Sequence, residues 1–536
     1  MRKLSMLVAA FAASCLSSAV SAATLAVCTE ASPDFLNPQF TGSQTSFDVA
    51  AQIFNRLVEL DRGSSTVSPA LAESWSVSPD GTAYTFKLRR GVKWHSNAVF
   101  KPSRDFNADD VVFTFDRMRD PAHPFHAVNG TNYQLFQSLG LAKNLKAVER
   151  LDDHTVRFVL ERPEAALLGA LSVEPFSIHS AEYGAAMLKA NTPDRVDLQP
   201  IGTGPFQLVA YQKDAVVRYR AFPEHWAKAA GLADRTALVD QLVFVITPDP
   251  AVRYAKLKAG ECHVMRYPNP ADIKAMMADK DIDMKQTSAI DYGFLAFNSQ
   301  KKPFDDKRVR EAIASAINRD AILQAVFQGV TGTLANTLVP PNLWGHNPNV
   351  KPFVYDPARA KQLLAEAGLA GGFKTVLWAL PVTRGYMPNG RRAAELIQAD
   401  LAAVGIQAEI TTFEWGEYLR RARAGEHEIG MFGYIYDYAD PGQILTSGWT
   451  CAGAVGGNNR TRWCNKEFSD LIDAANRITD QAERTKLYHR IQELFREDVP
   501  ALTIANSVTF TPTRKEVAGY KPHVFGGQPY FGVDVK

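Results

Sequence analysis

Alternating apolar and polar runs predict strands and helices that follow one another along the first half of the chain. The short apolar runs ATLAVCTE, AYTFKLRRGVKW, TVRFVLERP and LVDQLVFVIT are typical of strands, and SPDG of a turn. Apolar residues at helical spacing predict helices in AQIFNRLVEL, FNADDVVFTFDRMRD and PAVRYAKLKAGE. Asn107 precedes the second of these helices and acidic residues follow it, which favours an N-cap at this position.

A second alternating region begins near Ile290. The segment DDKRVREAIASAINRDAILQAV predicts an amphipathic helix, and DPARAKQLLAEAGLAGG predicts another that Asp356 caps and glycines end. GRRAAELIQADLAAVG and NKEFSDLIDAANRITDQAERTKLYHRIQELFRED predict further helices, and the tail ALTIANSVTFTPTRKEVAGYKPH returns to strand patterns. Strand and helix patterns alternate in both halves of the chain, which predicts a two-lobed α/β protein. In the first half, IGTGPF (201–206) predicts a point where two backbones approach closely.

Two short loops carry the residues with the clearest binding chemistry. ALPVTRGYMPNGRR follows the apolar run 375–380 and carries Arg384, and MFGYIYDYADPGQ follows the run 428–432 and carries Asp437. Strand ends in an α/β layer are where small ligands usually bind. The Arg384 guanidinium suits a carboxylate, and the Asp437 carboxylate suits an ammonium group.

Aromatic residues in the same loops, Tyr386 and Tyr434, would exclude water from a ligand and strengthen each charged contact. One cation and one anion in an aromatic pocket predict a receptor for a short zwitterion. Two extended residues span about 7 Å, so a dipeptide is a suitable ligand. The alternative is that Arg384 and Asp437 are solvated surface groups, with Asp437 capping the turn that follows it.

Length and charge limit the classes of protein that remain. A chain of 536 residues predicts two or three domains, and 46% hydrophobic with 22% charged residues argues against disorder. Lys and Arg number 59 and Asp and Glu 57; without Arg2 and Lys3 of the leader the two sets are equal at 57. This balanced charge offers no electrostatic footprint for nucleic acid.

The N-terminal segment MRKLSMLVAAFAASCLSSAVSA has a basic start, an apolar middle and small residues at its end. It predicts a secretory signal that is cleaved near Ala22 or Ala23, and hence an exported, soluble protein. A membrane anchor is disfavoured because the apolar run is short and broken by serines. Cys15 follows Ala-Ala-Ser, which leaves lipidation at this cysteine open.

Export makes the four remaining cysteines candidates for disulfide bonds, and four cysteines allow three pairings. The close spacing of Cys451 and Cys464 favours a bond that closes a small loop. Cys28 would then pair with Cys262 and tie the N-terminus to the middle of the chain. A zinc site is the alternative, but the sequence contains no CxxC pair.

LAESWSVSPDGTAYTFKLRRGVKWH, FNADDVVFTFDR, IGTGPF and YDPARAKQLLAEAGL occur in this order along the chain. Together they resemble the family 5 extracytoplasmic solute-binding proteins of ABC importers, over the whole mature chain. Three further segments and the four cysteines resemble the dipeptide receptors of this family: ITPDPAVRYAKLKAGECHVMRYPNPADI, WALPVTRGYMPNGRRAAELIQAD and TTFEWGEYLRRARAGEH.

The resemblance implies an α/β, two-lobed periplasmic-binding-protein fold with mixed sheets, an extra inserted domain and a ligand cleft between the lobes. The implied division is a signal peptide at 1–23, a discontinuous first lobe at 24–54, 209–289 and 508–536, an inserted domain at 55–208 and a second lobe at 290–507. The implied partners are a dipeptide and an inner-membrane ABC permease with its ATPase subunits. The protein is expected to be periplasmic and monomeric and to bind no nucleic acid.

The resemblance also implies a role for each residue of the site. Arg384 would take the ligand carboxylate, and Asp437, which is 437 − 384 = 53 positions later, its amino group. The other implied ligand-binding residues are Gly433 and Tyr434 at backbone positions, Trp415 and Tyr386 as pocket aromatics, and Gly42 and Ser43 in a first-lobe loop that closes on the peptide.

Two departures from the family pattern bear on the side-chain subsite. Gln44 replaces a glycine in the loop FTGSQTSFD, and YIYDYADPG, with Tyr436, replaces a loop richer in glycine. The bulkier Gln44 and Tyr436 would narrow or reshape the subsite, so the ligand class carries over better than the ligand preference.

Several alternatives remain open at this point. Members of the same family that bind longer peptides, glutathione, haem or nickel complexes would share these motifs. An exported hydrolase is the alternative from another class, but GxSxG, HExxH, P-loop and GxGxxG motifs are absent from the sequence. We therefore expect no catalysis, no cofactor and no metal ion; His123 and His126 form a weak metal candidate that is more typical of plain surface.

Overall fold

The computed structural model describes residues 23–41, 43–381, 383–413, 415–456 and 458–536. The predicted signal peptide and Cys15 lie outside these residues, apart from Ala23. Within the described part of the chain, no helix is both long enough and apolar enough to cross a membrane.

Strands occur in both halves of the chain, as the alternating patterns predict. In chain order they are β1 (Thr24–Thr29), β2 (Val58–Leu60), β3 (Val67–Pro69), β4 (Ala72–Val77), β5 (Ala83–Leu88), β6 (Leu145–Asp152), β7 (Thr155–Leu160), β8 (Phe206–Gln212), β9 (Val216–Ala221), β10 (Gln241–Ile246), β11 (Val264–Met265), β12 (Ile282–Ser288), β13 (Asp291–Phe297), β14 (Gly332–Leu334), β15 (Phe373–Trp378), β16 (Ile406–Thr411), β17 (Ile429–Ile435), β18 (Ala501–Arg514), β19 (Val517–Ala518) and β20 (Asp534–Val535).

Helices connect these strands and cover their faces. In chain order they are α1 (Gln44–Ile53), α2 (Ala108–Arg119), α3 (Gln134–Ser138), α4 (Leu141–Asn144), α5 (Leu167–Leu171), α6 (Ala181–Lys189), α7 (Arg195–Leu198), α8 (Trp226–Ala229), α9 (Pro250–Ala259), α10 (Ile273–Ala278), α11 (Lys307–Ala316), α12 (Arg319–Val326), α13 (Pro357–Glu366), α14 (Gly390–Ala403), α15 (Trp415–Ala424), α16 (Gly442–Trp449), α17 (Cys451–Gly456), α18 (Lys466–Arg477) and α19 (Gln481–Asp498).

Twelve strands of the described residues form one mixed sheet with two halves. Its order is β16-β15-β17-β13-β18-β11-β1-β10-β9-β8, and β12 and β14 also pair with β18. We call the half built on β1 and β8 to β11 the first lobe, and the half built on β13 and β15 to β17 the second lobe. Each half combines parallel and antiparallel pairs, since β1 is parallel to β10 and β11, and β15 to β16 and β17.

Strand β18 passes from one lobe into the other. Its first part pairs with β13, up to Ala505 opposite Gly293, and its last part pairs with β12, from Val508 opposite Ser288. Only two residues, 289 and 290, separate β12 from β13 in the chain. Two neighbouring antiparallel strands therefore connect the lobes, and the predicted two-lobed mixed α/β fold is confirmed.

Each lobe has its own buried core. Phe294, Leu377 and Met431 lie in the core of the second lobe, on three neighbouring strands. Leu25 and Leu242 lie in the core of the first lobe. Separate cores allow the lobes to move against each other without exposing either interior.

A separate antiparallel sheet, in the order β4-β5-β7-β6, lies within residues 55–208, the segment predicted as an inserted domain and called by that name below. Helix α2 packs against β6 and β7, and Phe86, Phe115 and Phe158 fill the core between them. The predicted N-cap of α2 is confirmed. The Asn107 side chain accepts a hydrogen bond from the Asp109 backbone N–H at 3.0 Å, and the Asp110 carboxylate accepts one from the Asn107 N–H.

The prediction of a close backbone approach at IGTGPF is also confirmed. A Cβ atom built on Gly202 would lie 1.9 Å from the carbonyl oxygen of Ile53, and one on Gly204 would lie 2.5 Å from that of Gln52. The N–H of Gly204 donates to the Ile53 carbonyl at 2.8 Å. Only glycine fits at these two positions, which hold the end of α1 against the start of β8.

The structure corrects two helix predictions. The helix expected in AQIFNRLVEL lies earlier, because α1 ends at Ile53 and the following residues lead into β2. The helix expected from DDKRV onward is broken between α11 and α12. Asn318 caps α12, since its side chain accepts a hydrogen bond from the Ala321 N–H at 3.0 Å, and this local bond competes with continuing the helix.

The cysteines form two disulfide bonds in the described structure. Cys28 on β1 pairs with Cys262, which lies two positions before the start of the neighbouring strand β11. Cys451, at the start of α17, pairs with Cys464. These are the pairs that the spacing favours.

Candidate functional site

The two loops with binding chemistry lie at the same edge of the second lobe. Strands β15 and β17 are parallel neighbours, with Leu377 opposite Ile429 and Trp378 opposite Gly430. Arg384 follows the carboxyl end of β15, and Asp437 follows that of β17. The carboxyl ends of parallel strands meet at one edge of a sheet, so the fold directs both loops to one side.

The sequence placed Gly433 and Tyr434 in a loop, and this is wrong. Strand β17 continues to Ile435 because it pairs with β13 as far as Asp291. Gly433 lies opposite Gly293, and Tyr434 lies opposite Tyr292, within the sheet. Pairing with a neighbouring strand outweighs the local turn preference of the glycine.

Tyr386 anchors the turn that carries Arg384, which we call the Arg384 turn (383–388). The N–H of Arg384 donates to the Met387 carbonyl at 3.2 Å, and the N–H of Met387 donates to the Arg384 carbonyl at 3.0 Å. The Tyr386 ring is 4% exposed and lies over Gly433. Burial raises the pKa of the Tyr386 hydroxyl to about 12, so the ring is neutral.

Arg384 itself is half-buried, and its Nη1 donates to the Thr383 carbonyl at 3.1 Å. It lines a cavity of about 390 Å³ that also reaches the connecting strands β12 and β18 and the first lobe. Gln44 lines the same cavity from the first lobe, so the structure brings these two predicted site residues together.

The segment that carries Asp437, which we call the Asp437 loop (436–441), is held by the residues around Asp437. Tyr436 donates its hydroxyl to the Leu338 carbonyl at 3.0 Å. Tyr438 inserts into the core of the inserted domain, where its ring lies 3.0 Å from a Cβ atom built on Gly169. Asp440 accepts two hydrogen bonds from Arg484, at 2.7 and 2.8 Å.

Asp437 is exposed, in contrast to these neighbours, and faces a cavity of about 700 Å³. Its backbone N–H donates to the Gln443 Oε1 at 2.9 Å, and Gln443 Nε2 donates back to its carboxylate. The pKa of Asp437 is raised, because desolvation by the surrounding cavity walls outweighs the hydrogen bond from Gln443. A bound ammonium group would stabilise the charged form of the Asp437 carboxylate and so offset the cost of its desolvation.

The structure does not place Arg384 and Asp437 in a single cavity. Arg162 and Glu164 of the inserted domain line the Asp437 cavity, whereas the first lobe and the connecting strands line the Arg384 cavity. Both cavities lie between parts of the protein that carry separate cores. A ligand that contacts both charges would therefore bridge two cavities at the edge of the second lobe.

Tyr434 lies between the two loops in a cluster of aromatic rings. Its ring centre is 5.3 Å from that of Phe294, 6.0 Å from that of Tyr292 and 6.1 Å from that of Trp449. Its hydroxyl donates to the Asn458 carbonyl at 2.5 Å. Burial raises the pKa of the Tyr434 hydroxyl, so this ring is uncharged.

The structure describes part of the first-lobe loop that was predicted to close on the peptide. Ser43 precedes α1 as its N-cap, and its N–H donates to the Thr41 hydroxyl at 2.8 Å. Gln44 Nε2 donates to Asp48 Oδ1 at 3.1 Å and to the Gly526 carbonyl. Gly42 lies outside the described residues, as does the side chain of Trp415, whose backbone begins α15.

Sequence reasoning missed Arg266 and Tyr267, which line the Arg384 cavity from the first lobe. Arg266 directly follows β11, the parallel neighbour of β1. A signal for it was present, because the end of a strand in a mixed sheet is a usual ligand position. The apolar run that marks β11 is too short to be recognised as a strand.

No group of three or more His, Cys, Asp or Glu side chains is placed to hold a metal ion in the described part of the chain. The weak candidates His123 and His126 both contact backbone: His123 Nδ1 accepts from the Phe125 N–H at 3.2 Å, and His126 Nδ1 lies 2.8 Å from the Arg117 carbonyl oxygen. The described site thus offers a cation, Arg384, in one cavity and an anion, Asp437, in the other. Aromatic side chains line both cavities, Tyr267 and Phe510 beside Arg384 and Tyr438 beside Asp437, and this arrangement suits binding of a zwitterion.

Residues 66–456 match a family described as "Bacterial extracellular solute-binding proteins, family 5 Middle". The chain is 49% identical to the dipeptide-binding protein of Escherichia coli (strain K12), over 96% of this chain and 95% of that protein.

Two solved structures are similar in fold. HbpA2 from Haemophilus parasuis has a TM-score of 0.92 and 38% identity, and covers 96% of this chain and 100% of its own. The dipeptide binding protein from Pseudoalteromonas sp. SM9913, in complex with Met-Leu, has a TM-score of 0.75 and 35% identity, with the same coverage of 96% and 100%.

Proposed function

The chain belongs to the bacterial extracellular solute-binding proteins of family 5, and on that premise we propose that it captures dipeptides for an ABC importer. The observation that carries the proposal is the placement of a cation and an anion, Arg384 and Asp437, after neighbouring parallel strands. The name of the Escherichia coli relative and the Met-Leu ligand of the Pseudoalteromonas protein support a dipeptide as the ligand class.

Arg384 binds the peptide carboxylate, and Asp437 binds the ammonium group at the other end. Charge-assisted hydrogen bonds contribute about 1.5–3 kcal/mol each, so the two anchors together supply roughly 3–6 kcal/mol. Micromolar affinity needs about 8 kcal/mol. Backbone groups of β17 near Gly433, the Tyr386 and Tyr434 rings and the first-lobe residue Gln44 supply the rest.

Closure follows from the position of the ligand between parts with separate cores. A peptide that contacts both lobes stabilises the closed form over the open one, and the two cavities then meet around it. The connecting strands β12 and β18 are the hinge in this proposal. A peptide whose terminus reaches no charged partner would bind more weakly, because a charge is then buried without a partner.

Cellular context completes the proposal. Residues 1–23 act as a signal peptide, and the mature monomer works in the periplasm with an inner-membrane permease and its ATPase subunits. The change of β18 partner between Ser507 and Val508 supports the proposed domain division. That division is 24–54, 209–289 and 508–536 for the first lobe, 55–208 for the inserted domain and 290–507 for the second lobe.

The peptide is released unchanged in this proposal. The relatives named above are binding proteins, which supports a receptor rather than a hydrolase. Incubation of the protein with Ala-Ala should produce no free alanine, as measured by chromatography of the mixture. Release of alanine at a rate proportional to protein concentration would favour the hydrolase alternative.

Combining ligands that have a blocked terminus with variants of Arg384 and Asp437 tests the role of these two residues. Ala-Ala, N-acetyl-Ala-Ala and Ala-Ala amide are titrated by calorimetry into the wild type, Arg384→Gln and Asp437→Asn. In the wild type, each blocked terminus should weaken binding by roughly 10- to 150-fold, the equivalent of one charged contact. Acetylation should cost little further affinity in Asp437→Asn, and amidation little in Arg384→Gln.

Two matched variants control for general effects of charge. Asp473→Asn changes another carboxylate that lines the Asp437 cavity, and Arg391→Gln changes an exposed arginine on α14. Both should retain the full penalty for each blocked terminus. If acetylation weakens binding equally in the wild type and in Asp437→Asn, Asp437 does not bind the amino group.

A further inference from the structure

Two guanidinium groups line the 390 Å³ cavity beside Arg384. Arg266 faces it from the first lobe and Arg384 from the second, and among the described residues that line it neither an aspartate nor a glutamate is present. His523 also lines the cavity, but burial lowers its pKa to about 4, so it is neutral near pH 7. The charged groups on the wall are therefore both cations.

Asp48 forms an ion pair with Arg266. Its Oδ2 lies 3.3 Å from Arg266 Nε, while its Oδ1 accepts hydrogen bonds from the Gln528 N–H at 2.8 Å and from Gln44 Nε2 at 3.1 Å. The Arg266 Cζ lies 5.0 Å from the centre of the Tyr267 ring. The Arg266 side chain is 13% exposed, so a small part of it reaches the cavity.

One carboxylate does not use all the donors of this guanidinium. An arginine has five N–H donors, and the Asp48 oxygen nearest to it approaches at Nε. Glu30 lies near Asp48 and accepts hydrogen bonds from the Thr29 and Thr45 hydroxyls at 2.8 and 2.9 Å. Asp48 offsets part of the positive charge of Arg266, so any gain from a ligand carboxylate comes mainly from hydrogen bonds.

We propose that this cavity is a subsite for a second carboxylate of the peptide, held by Arg266. The inference rests on the proposed function, in which Arg384 and Asp437 bind the two termini of a dipeptide. The second carboxylate has two possible sources: an acidic side chain on the last residue, or the C-terminus of a tripeptide that extends past Arg384. Pro268, Pro388 and Phe510 line the same cavity and would cover the apolar part of such a residue.

Paired ligands of equal shape test this proposal by calorimetry on the full mature chain. Ala-Glu and Ala-Gln differ in one charge, and Ala-Ala-Ala and its C-terminal amide differ in the terminal charge. We expect the wild type to bind Ala-Glu at least about tenfold more tightly than Ala-Gln, as for one charge-assisted contact. In Arg266→Gln this ratio should fall to near one, whereas Arg218→Gln, an exposed first-lobe arginine on β9, should retain it.

The tripeptide pair identifies the source of the carboxylate. If Arg266→Gln removes the preference for free Ala-Ala-Ala over its amide, the C-terminus of a tripeptide occupies the subsite; if it removes only the preference for Ala-Glu, an acidic side chain does. An Arg266→Gln variant with both ratios unchanged overturns the inference while the receptor function stands. A wild type that binds none of the four peptides overturns the receptor function and the inference together.

The Arg266→Gln variant leaves Asp48 without its ion-pair partner, which could unfold the first lobe. The double variant Asp48→Asn/Arg266→Gln removes both charges of the pair and is judged by the same affinity ratios. Circular dichroism confirms that each variant is folded before its ratios are compared.

Discussion

The ring of Tyr386 lies directly against Gly433, so that a Cβ atom built on this glycine would come within 2.3 Å of two ring carbons. On the neighbouring strand, a Cβ atom on Gly293 would lie 2.4 Å from the Tyr386 carbonyl oxygen. The turn that carries Arg384 therefore rests on the sheet where two paired strands both lack a side chain. We therefore expect the position of the Arg384 guanidinium to depend on this contact.

Gly433→Ala should displace the Tyr386 ring and the Arg384 turn with it. Overpacking of this kind costs about 1–3 kcal/mol of stability, and we expect the affinity for Ala-Ala to fall at least about tenfold. Calorimetry measures the affinity and urea unfolding the stability. Gly371→Ala is the matched control, since a Cβ atom there would meet nothing within 4 Å. Unchanged affinity in Gly433→Ala would show that the contact does not position Arg384.

The buried ion pair of Asp440 and Arg484 should be essential to the Asp437 loop. Their side chains are 5% and 4% exposed, and Arg484 also donates to the Tyr488 hydroxyl at 2.7 Å. Arg484→Met leaves the Asp440 carboxylate buried without a partner, which typically costs about 3–5 kcal/mol. Urea unfolding should show this loss, together with weaker dipeptide binding, because the loop carries Asp437.

A surface pair provides the comparison for this variant. Lys466 and Asp470 form an ion pair on α18 with side chains that are 86% and 59% exposed. Lys466→Met should change stability by no more than about 0.5 kcal/mol and leave peptide binding intact. Similar losses of stability in the two variants would contradict a special role for the buried pair.

The sequence was sufficient to predict features that depend on a few neighbouring residues, such as helix caps and close backbone approaches. Asn107 and Asp356 were recognised as helix caps, and both accept hydrogen bonds from the first turn of their helices. The glycines 202 and 204 were recognised as a close approach of two backbones. In each case the residue type and its spacing dictate the local conformation.

Features that depend on distant segments were not predictable in this way. Strand β17 extends to Ile435 because β13 pairs with it, and nothing near Gly433 in the sequence signals this partner. Arg266 reaches the Arg384 cavity through the parallel pairing of β11 with β1. The two predicted anchors were found from their positions after strand patterns, whereas their separation into two cavities depends on how the lobes are arranged.

Buried histidines should make the protein less stable in mild acid. Burial lowers the pKa of five of them, to about 4 for His95, His427 and His523 and to about 3 for His179 and His225. A lowered pKa in the folded state means that the stability is fully present above the ordinary value near 6.5 and is lost as the pH falls toward 3–4. Urea unfolding at pH 7.5 and 5 should give the lower free energy of unfolding at pH 5.

Glu174 opposes this trend and provides a test of it. Burial raises its pKa to about 7, so its contribution to stability is present below about pH 4.5 and is lost as the pH rises through 7. Glu174→Gln should therefore enlarge the difference in stability between pH 7.5 and 5, whereas His427→Gln should reduce it. A difference that stays the same in both variants would show that other groups control the acid sensitivity.

The two disulfide bonds should differ in their contribution to stability because they close loops of different length. Cys451 and Cys464 are 13 positions apart, and Cys28 and Cys262 are 234 apart. A bond constrains the unfolded chain more when its loop is longer, which predicts losses of about 3 kcal/mol for Cys451→Ala/Cys464→Ala and about 5 kcal/mol for Cys28→Ala/Cys262→Ala. Urea unfolding of the two double variants measures both losses, and the reverse order would contradict the entropic explanation. The longer bond also joins β1 to the segment that leads into β11, the strand that Arg266 follows, so its removal should weaken the preference for Ala-Glu as well.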